Sequence, residues 1–123
     1  MILVDTSVWI DHLRAGEPAL ISALESGSVL THAFVIGDVA CGNIKNRREV
    51  LQLLHRLPAA PVATDIEALT FIEAQSLMGR GLGYIDVHLL ASAALAGHTR
   101  VWTRDKRLAA VAGDLDLAYA ESR

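Results

Sequence analysis

Ile2-Leu3-Val4-Asp5-Thr6-Ser7-Val8-Trp9-Ile10 opens on three apolar residues and changes period at Asp5. The apolar triplet reads as a short buried strand. Asp5, Thr6 and Ser7 carry the short oxygen side chains that favour a helix start, and Trp9, Ile10 and Leu13 follow at helical spacing. A strand that passes directly into a helix is half of a βαβ unit, and the alternation recurs along the chain. Val29-Leu30-Thr31 precedes a helical stretch over 34–41 closed by Gly42. Pro61-Val62-Ala63-Thr64 reads as a third strand ahead of a helix that Asp65 would cap, and Arg100-Val101-Trp102-Thr103 as a fourth ahead of a helix over 105–112. Further helices are predicted over 18–25, 47–57 and 84–95, the last apolar nearly all round, with a final edge strand over 115–119. Strands separated by helices imply a parallel sheet of four to five strands covered on both faces.

Composition narrows the classes. A length of 123 residues with 52% hydrophobic content predicts one domain, residues 1–123, with a sizeable core. Charged residues amount to 20%, below the usual quarter, so part of the apolar surplus is available for contact with another chain. A formal charge of -3 excludes a global attraction for nucleic acid, so any such site must be local or assisted by a cation. The single cysteine, Cys41, excludes an internal disulfide and reads as a small buried hydrophobe. With no signal-like start and no apolar run long enough for a bilayer, the expectation is a cytoplasmic protein without a membrane partner.

Four aspartates stand where apolar sequence does not call for them. Asp5 follows the first strand and Asp105 the fourth, at the end of a parallel sheet where ligands bind. Asp38 lies within Phe34-Val35-Ile36-Gly37-Asp38-Val39-Ala40-Cys41, on the face of Phe34, Val35 and Cys41, and Asp86 lies in the first turn of the apolar helix. Alone, Asp5, Asp86 and Asp105 have ordinary readings as helix caps or first-turn acids. Together they would repel unless a hard divalent cation neutralised them; oxygen ligands without a Cys/His set suit Mg²⁺ or Mn²⁺. Such an ion points to phosphodiester chemistry.

Val4-Asp5-Thr6-Ser7-Val8-Trp9-Ile10, Thr31-His32-Ala33-Phe34-Val35-Ile36-Gly37-Asp38, Gly83-Tyr84-Ile85-Asp86-Val87-His88-Leu89-Leu90-Ala91 and Trp102-Thr103-Arg104-Asp105-Lys106-Arg107-Leu108 resemble, in order and spacing, the motif blocks of PIN-domain ribonucleases, specifically the VapC toxins of bacterial toxin-antitoxin pairs. The resemblance implies a three-layer α/β/α sandwich, a metal-dependent endoribonuclease, a homodimer and a cognate VapB-type antitoxin that covers the active site. It places Asp5, Asp86 and Asp105 on the family's acidic positions and Ser7 on a hydroxyl that orders the first acid or the metal. Asp38 stands where the family usually has Glu, and Ala33 where a proline is common.

The reaction so implied is hydrolysis of RNA by a water activated on Mg²⁺, with Mn²⁺ able to substitute. Asp5, Asp86 and Asp105 hold metal, and Asp38 is either a further ligand or the base that orients the water. Arg104, Lys106 and Arg107, beside Asp105, are expected to contact the RNA backbone, whereas Lys45, Arg47 and Arg48 read as solvated helix ends. Trp9 and Trp102 read as core or interface residues, and the scattered histidines as structural. Two other classes compare less well. A phosphoacceptor signalling domain would account for Asp65 but lacks adjacent acids after the first strand, and it leaves Asp38 and Asp86 unexplained. A PIN-fold binding module without catalysis differs only in failing to cut RNA.

Overall fold

The triplet Ile2-Leu3-Val4 is the centre of the sheet. The computed structural model describes residues 1–121; the last two residues of the expected 1–123 domain lie outside the described residues. In chain order the elements are β1 (Ile2–Val4), α1 (Thr6–Ala15), α2 (Pro18–Glu25), β2 (Val29–Leu30), α3 (Ala33–Cys41), α4 (Arg47–Arg56), α5 (Asp65–Gln75), α6 (Tyr84–Ala96), β3 (Arg100–Trp102) and α7 (Lys106–Asp114). β1 pairs in parallel with β2, Leu3 opposite Leu30, and with β3, Val4 opposite Trp102. Successive strand residues point to opposite faces. Leu3 and Val4 are both fully buried, as are Val101 and Trp102, so helices cover both faces and the α/β/α sandwich is borne out.

Among the described residues only three strands are regular, in the order β2-β1-β3. Two single parallel bridges widen the sheet, Thr31 with Ala59 beyond β2 and Val101 with Ala118 beyond β3. Pro61-Val62-Ala63-Thr64 is therefore not the third strand. Thr31 donates to the Pro58 carbonyl at 2.8 Å and accepts from the Ala60 N–H at 2.8 Å, and the pairing stops there. His32 already serves as the N-cap of α3, which leaves the next residues no extended partner, and Pro61 has no N–H to offer. The 115–119 stretch likewise contributes a bridge, with the Val101 N–H on the Leu117 carbonyl at 2.7 Å.

Helix ends follow the sequence closely. Pro18 occupies the first turn of α2, and Gly42 ends α3. At α5 the cap is Thr64 rather than Asp65: its hydroxyl accepts the Glu67 N–H at 3.1 Å while Glu67 accepts the Thr64 N–H at 2.9 Å. Asp65 is the helix's first residue and takes a hydrogen bond from the Tyr84 hydroxyl. Residues 87 to 93 of α6 are all buried, so this is the central helix its composition predicts. Trp9 and Trp102 lie in the core, but Cys41 is exposed, against expectation. The buried stripe of α3 is Val35 and Val39, one turn apart, and Cys41 falls off it. No described helix is long and apolar enough to cross a membrane.

A buried imidazole ties the helices together. His32, 0% exposed, accepts the Phe34 N–H at Nδ1 (3.0 Å), so its proton sits on Nε2, which donates to Ser92 Oγ (3.0 Å) in α6. Ser92 Oγ also accepts the Ala63 N–H at 3.3 Å. Burial first, and then the neighbouring His88, hold the His32 pKa below its ordinary value; His88 itself packs between the Phe34 and Tyr84 rings. Below the unfolded value of about 6.5 the unfolded chain takes up a proton that the folded chain refuses, so stability is present above that pH and falls as pH drops through it. The melting temperature should decline between pH 7.5 and 5.5. His32→Asn, which can still cap α3, should melt lower at pH 7.5 but show a flatter pH profile; an equally steep profile would rule out this imidazole as the cause.

Candidate active site

Because Val4 lies opposite Trp102, the residues that leave β1 and β3 emerge side by side, and the Asp5 N–H donates to the Trp102 carbonyl at 2.9 Å. Asp5 occupies the N-cap position of α1, yet its side chain makes no capping hydrogen bond. Oδ2 instead accepts two hydroxyl protons, from Ser7 Oγ at 2.8 Å and from Thr103 Oγ1 at 2.7 Å. Each hydroxyl is held in turn: the Arg104 N–H donates to Ser7 Oγ at 3.0 Å and the Asp105 N–H to Thr103 Oγ1 at 3.1 Å. A residue that only capped a helix would aim at the N–H groups of the first turn. This one is turned away from them and fixed from the neighbouring strand. Ser7 is thus hydrogen-bonded to the first acid, and Thr103, which the sequence did not single out, is its counterpart from the neighbouring strand. Its signal was a hydroxyl directly after the strand that neighbours β1.

The other three acids come from separate helices. Asp86 is in the first turn of α6, where Oδ2 accepts the Gly83 N–H at 3.3 Å. Asp105 is the N-cap of α7 and spends Oδ1 on the Leu108 N–H at 2.9 Å, so its ordinary reading as a cap holds. Asp38 is exposed rather than on the buried face of α3, and its Oδ2 takes the Thr6 hydroxyl at 3.2 Å. It borders Val35 and Val39 without joining their stripe. Partial burial raises the Asp86 pKa, the Gly83 N–H opposes this, and the charges of Asp5, Asp105 and Asp38 raise it further. The other three carboxylates therefore all lie within electrostatic range of Asp86. Among the described residues, no three metal-binding side chains are gathered closely enough to enclose an ion. Oxygen donors of one sign, from four elements and without a thiolate or imidazole, match a hard cation that keeps much of its water, as Mg²⁺ does.

The flanking cations divide sharply. Arg104, expected to contact RNA, faces protein instead: Nη1 lies 2.7 Å from Asp11 and 2.7 Å from Glu17, and Nη2 3.2 Å from Glu121. Hydrogen bonds to Glu17 and Asp11 raise its pKa further above an already high value, and the same contact to Arg104 lowers that of Glu17. Four of its five N–H donors are spent on these three carboxylates. Arg47 donates twice to the Ala40 carbonyl at the end of α3, while Lys45, Arg48, Lys106 and Arg107 are exposed. Arg104→Gln should cost about 1–2 kcal/mol of stability, less at high salt, because charge-assisted pairs join the end of β3 to α1 and the chain's end. Unchanged melting at low salt would contradict this clasp.

The sequence matches the PIN domain family over residues 2–114, a span that holds all four aspartates. Over 121 residues it is 49% identical to Ribonuclease VapC32 of Mycobacterium tuberculosis, in strain CDC 1551 / Oshkosh and in strain ATCC 25618 / H37Rv, with 98% of this chain and 98% of each relative covered. The match runs through every element from β1 to α7. The chain belongs to the PIN-domain family, in its VapC branch.

Proposed function

We propose that this protein is a metal-dependent endoribonuclease, the toxin of a toxin-antitoxin pair, which hydrolyses RNA phosphodiester bonds in the cytoplasm. The observation that carries this reading is Asp5, whose carboxylate forgoes the cap of α1 and is pinned by Ser7 and Thr103. Such a carboxylate is preorganised for something other than helix stability. Asp5, Asp86 and Asp105 would hold Mg²⁺, with Mn²⁺ able to replace it, and Asp38 would complete the set. The bound cation supplies positive charge for the phosphate in the transition state and acidifies water. Asp105 serves twice, as Oδ1 caps α7 and its second oxygen is left for the site. Asp38 is exposed and holds only a hydroxyl, which suits a base that takes a proton from water as well as it suits a ligand.

A VapB-type antitoxin is the proposed protein partner, in keeping with the VapC branch. A homodimer is proposed on the apolar surplus: Ile66 and Leu69 on α5 are 77% and 56% exposed, and Leu95 on α6 is 51% exposed. On this reading the chain alone should run as a dimer in light scattering and Ile66→Glu as a monomer. A wild-type monomer at high concentration would refute the dimer.

Purified protein freed of any antitoxin should cut RNA in Mg²⁺ or Mn²⁺ and stop in EDTA. Asp5→Asn and Asp86→Asn should each lower cleavage about 100-fold or more. Without metal, Asp86→Asn should melt higher than wild type at neutral pH, because it removes a charge that Asp5, Asp105 and Asp38 oppose. Asp38→Glu should keep or raise the activity. Cleavage that persists in chelator would refute the metal site, and RNA left intact under all conditions would favour a binding module.

A further inference from the structure

The glycine-rich loop before α6 carries an arginine that belongs to another element. Gly81 has φ +80°, and a Cβ built on it would lie 2.9 Å from Cδ, 3.0 Å from Nη1 and 3.2 Å from Nε of Arg107. The Arg107 side chain thus lies lengthwise on the bare glycine backbone, in a space that any other residue at position 81 would fill. Arg107 stands in the first turn of α7, two residues beyond Asp105, and Gly81 stands two residues before Gly83, the N-cap of the helix that carries Asp86. The contact joins the two elements that present these carboxylates.

The charge of the arginine held this way is used by nothing among the described residues, and what sets it apart from the other free surface arginines is the Gly81 backbone it lies on. Among the described residues Arg80 pairs with Asp114, Arg100 with Asp116, Arg104 with three acids, and Arg47 caps α3, whereas Arg107, like the exposed Arg14, Arg48 and Arg56, has no ion pair or hydrogen bond. It also sits at the helix end where the backbone dipole disfavours a cation. Its guanidinium is therefore placed by shape, with donors unspent, between the elements that carry Asp86 and Asp105. A planar guanidinium with free donors is suited to phosphate.

We propose that Arg107, cradled on Gly81, binds a backbone phosphate of the RNA beside the carboxylate site and so positions the strand for cleavage. This rests on the ribonuclease reading above. Gly81 is a positioning residue: it touches no substrate but keeps the guanidinium where the phosphate arrives.

The test compares wild type, Arg107→Gln, Arg107→Lys, Gly81→Ala and, as a charge control distant in sequence from all four acids, Arg56→Gln. Cleavage of a labelled RNA in Mg²⁺ gives kcat and KM; fluorescence anisotropy of the same RNA in EDTA, over a series of salt concentrations, gives Kd without turnover. Arg107→Gln should raise KM and Kd about tenfold, leave kcat within about twofold, and reduce the salt slope by about one. Gly81→Ala should raise KM in the same direction although the net charge is unchanged, and Arg107→Lys should recover part of the loss. Melting curves identify a variant that fails to fold, and the Arg107 substitutions, at an exposed position, carry the decision if Gly81→Ala does. Arg107→Gln with wild-type KM and Kd would overturn the proposal, as would an equal effect from Arg56→Gln. No cleavage by wild type or any variant, with RNA binding still dependent on Arg107, would overturn the ribonuclease reading alone, and a wild type that neither cuts nor binds RNA would overturn both.

Discussion

The parallel pairing of β1 with β3 is the constraint on which the site depends. Its register sets Val4 against Trp102, so the residues after the two strands must emerge together although nearly the whole chain separates them. From that follow the two hydroxyl bonds on Asp5, the backbone N–H groups that fix those hydroxyls, and the proximity of α1 and α7. A one-residue slip would reverse which side chains face each layer and remove Thr103 from Asp5. Full burial of Leu3, Val4, Val101 and Trp102 makes such a slip costly, so the hydrophobic core and the placement of the carboxylate are one problem with one solution.

Against that rigid base the remaining acids are held more loosely. Asp86 and Asp105 each spend one oxygen on a helix N-terminus, and Asp38 takes only a hydroxyl from α1. The arrangement distributes like charge over four elements, which limits repulsion in the metal-free protein while leaving Asp86 within the fields of the other three. Arg104 does not relieve that charge, because its own acids already surround it.

Much of this was legible in the amino-acid order, and the failures have a common cause. β1, β3 and the central helix α6 announce themselves through local apolar pattern, and the four aspartates stand out as local anomalies. Thr103 and the carboxylate partners of Arg104 do not, because those contacts join residues far apart in the chain, Asp5 and Glu17 among them; for Arg107 the sequence suggested the phosphate contact but not the Gly81 backbone on which it lies. Asp38 and Cys41 were given the wrong environment for a different reason. The stripe of α3 is narrow, and a shift of one position in its phase moves a residue from core to solvent. Proline chemistry decided the missing strand: Pro58 can still accept through its carbonyl, but the pairing ends as soon as His32 turns the chain into α3.

That truncated edge has a consequence for how the molecule meets its surroundings. A sheet margin with free amide and carbonyl groups is a template on which a foreign strand can grow. On the β2 side the margin is one bridge at Ala59, bracketed by Pro58 and Pro61, and on the β3 side it is one bridge at Ala118. Neither is a run of backbone long enough to recruit an extended segment. Such margins offer a foreign strand little to pair with, which limits both augmentation of the sheet and the aggregation that augmentation invites.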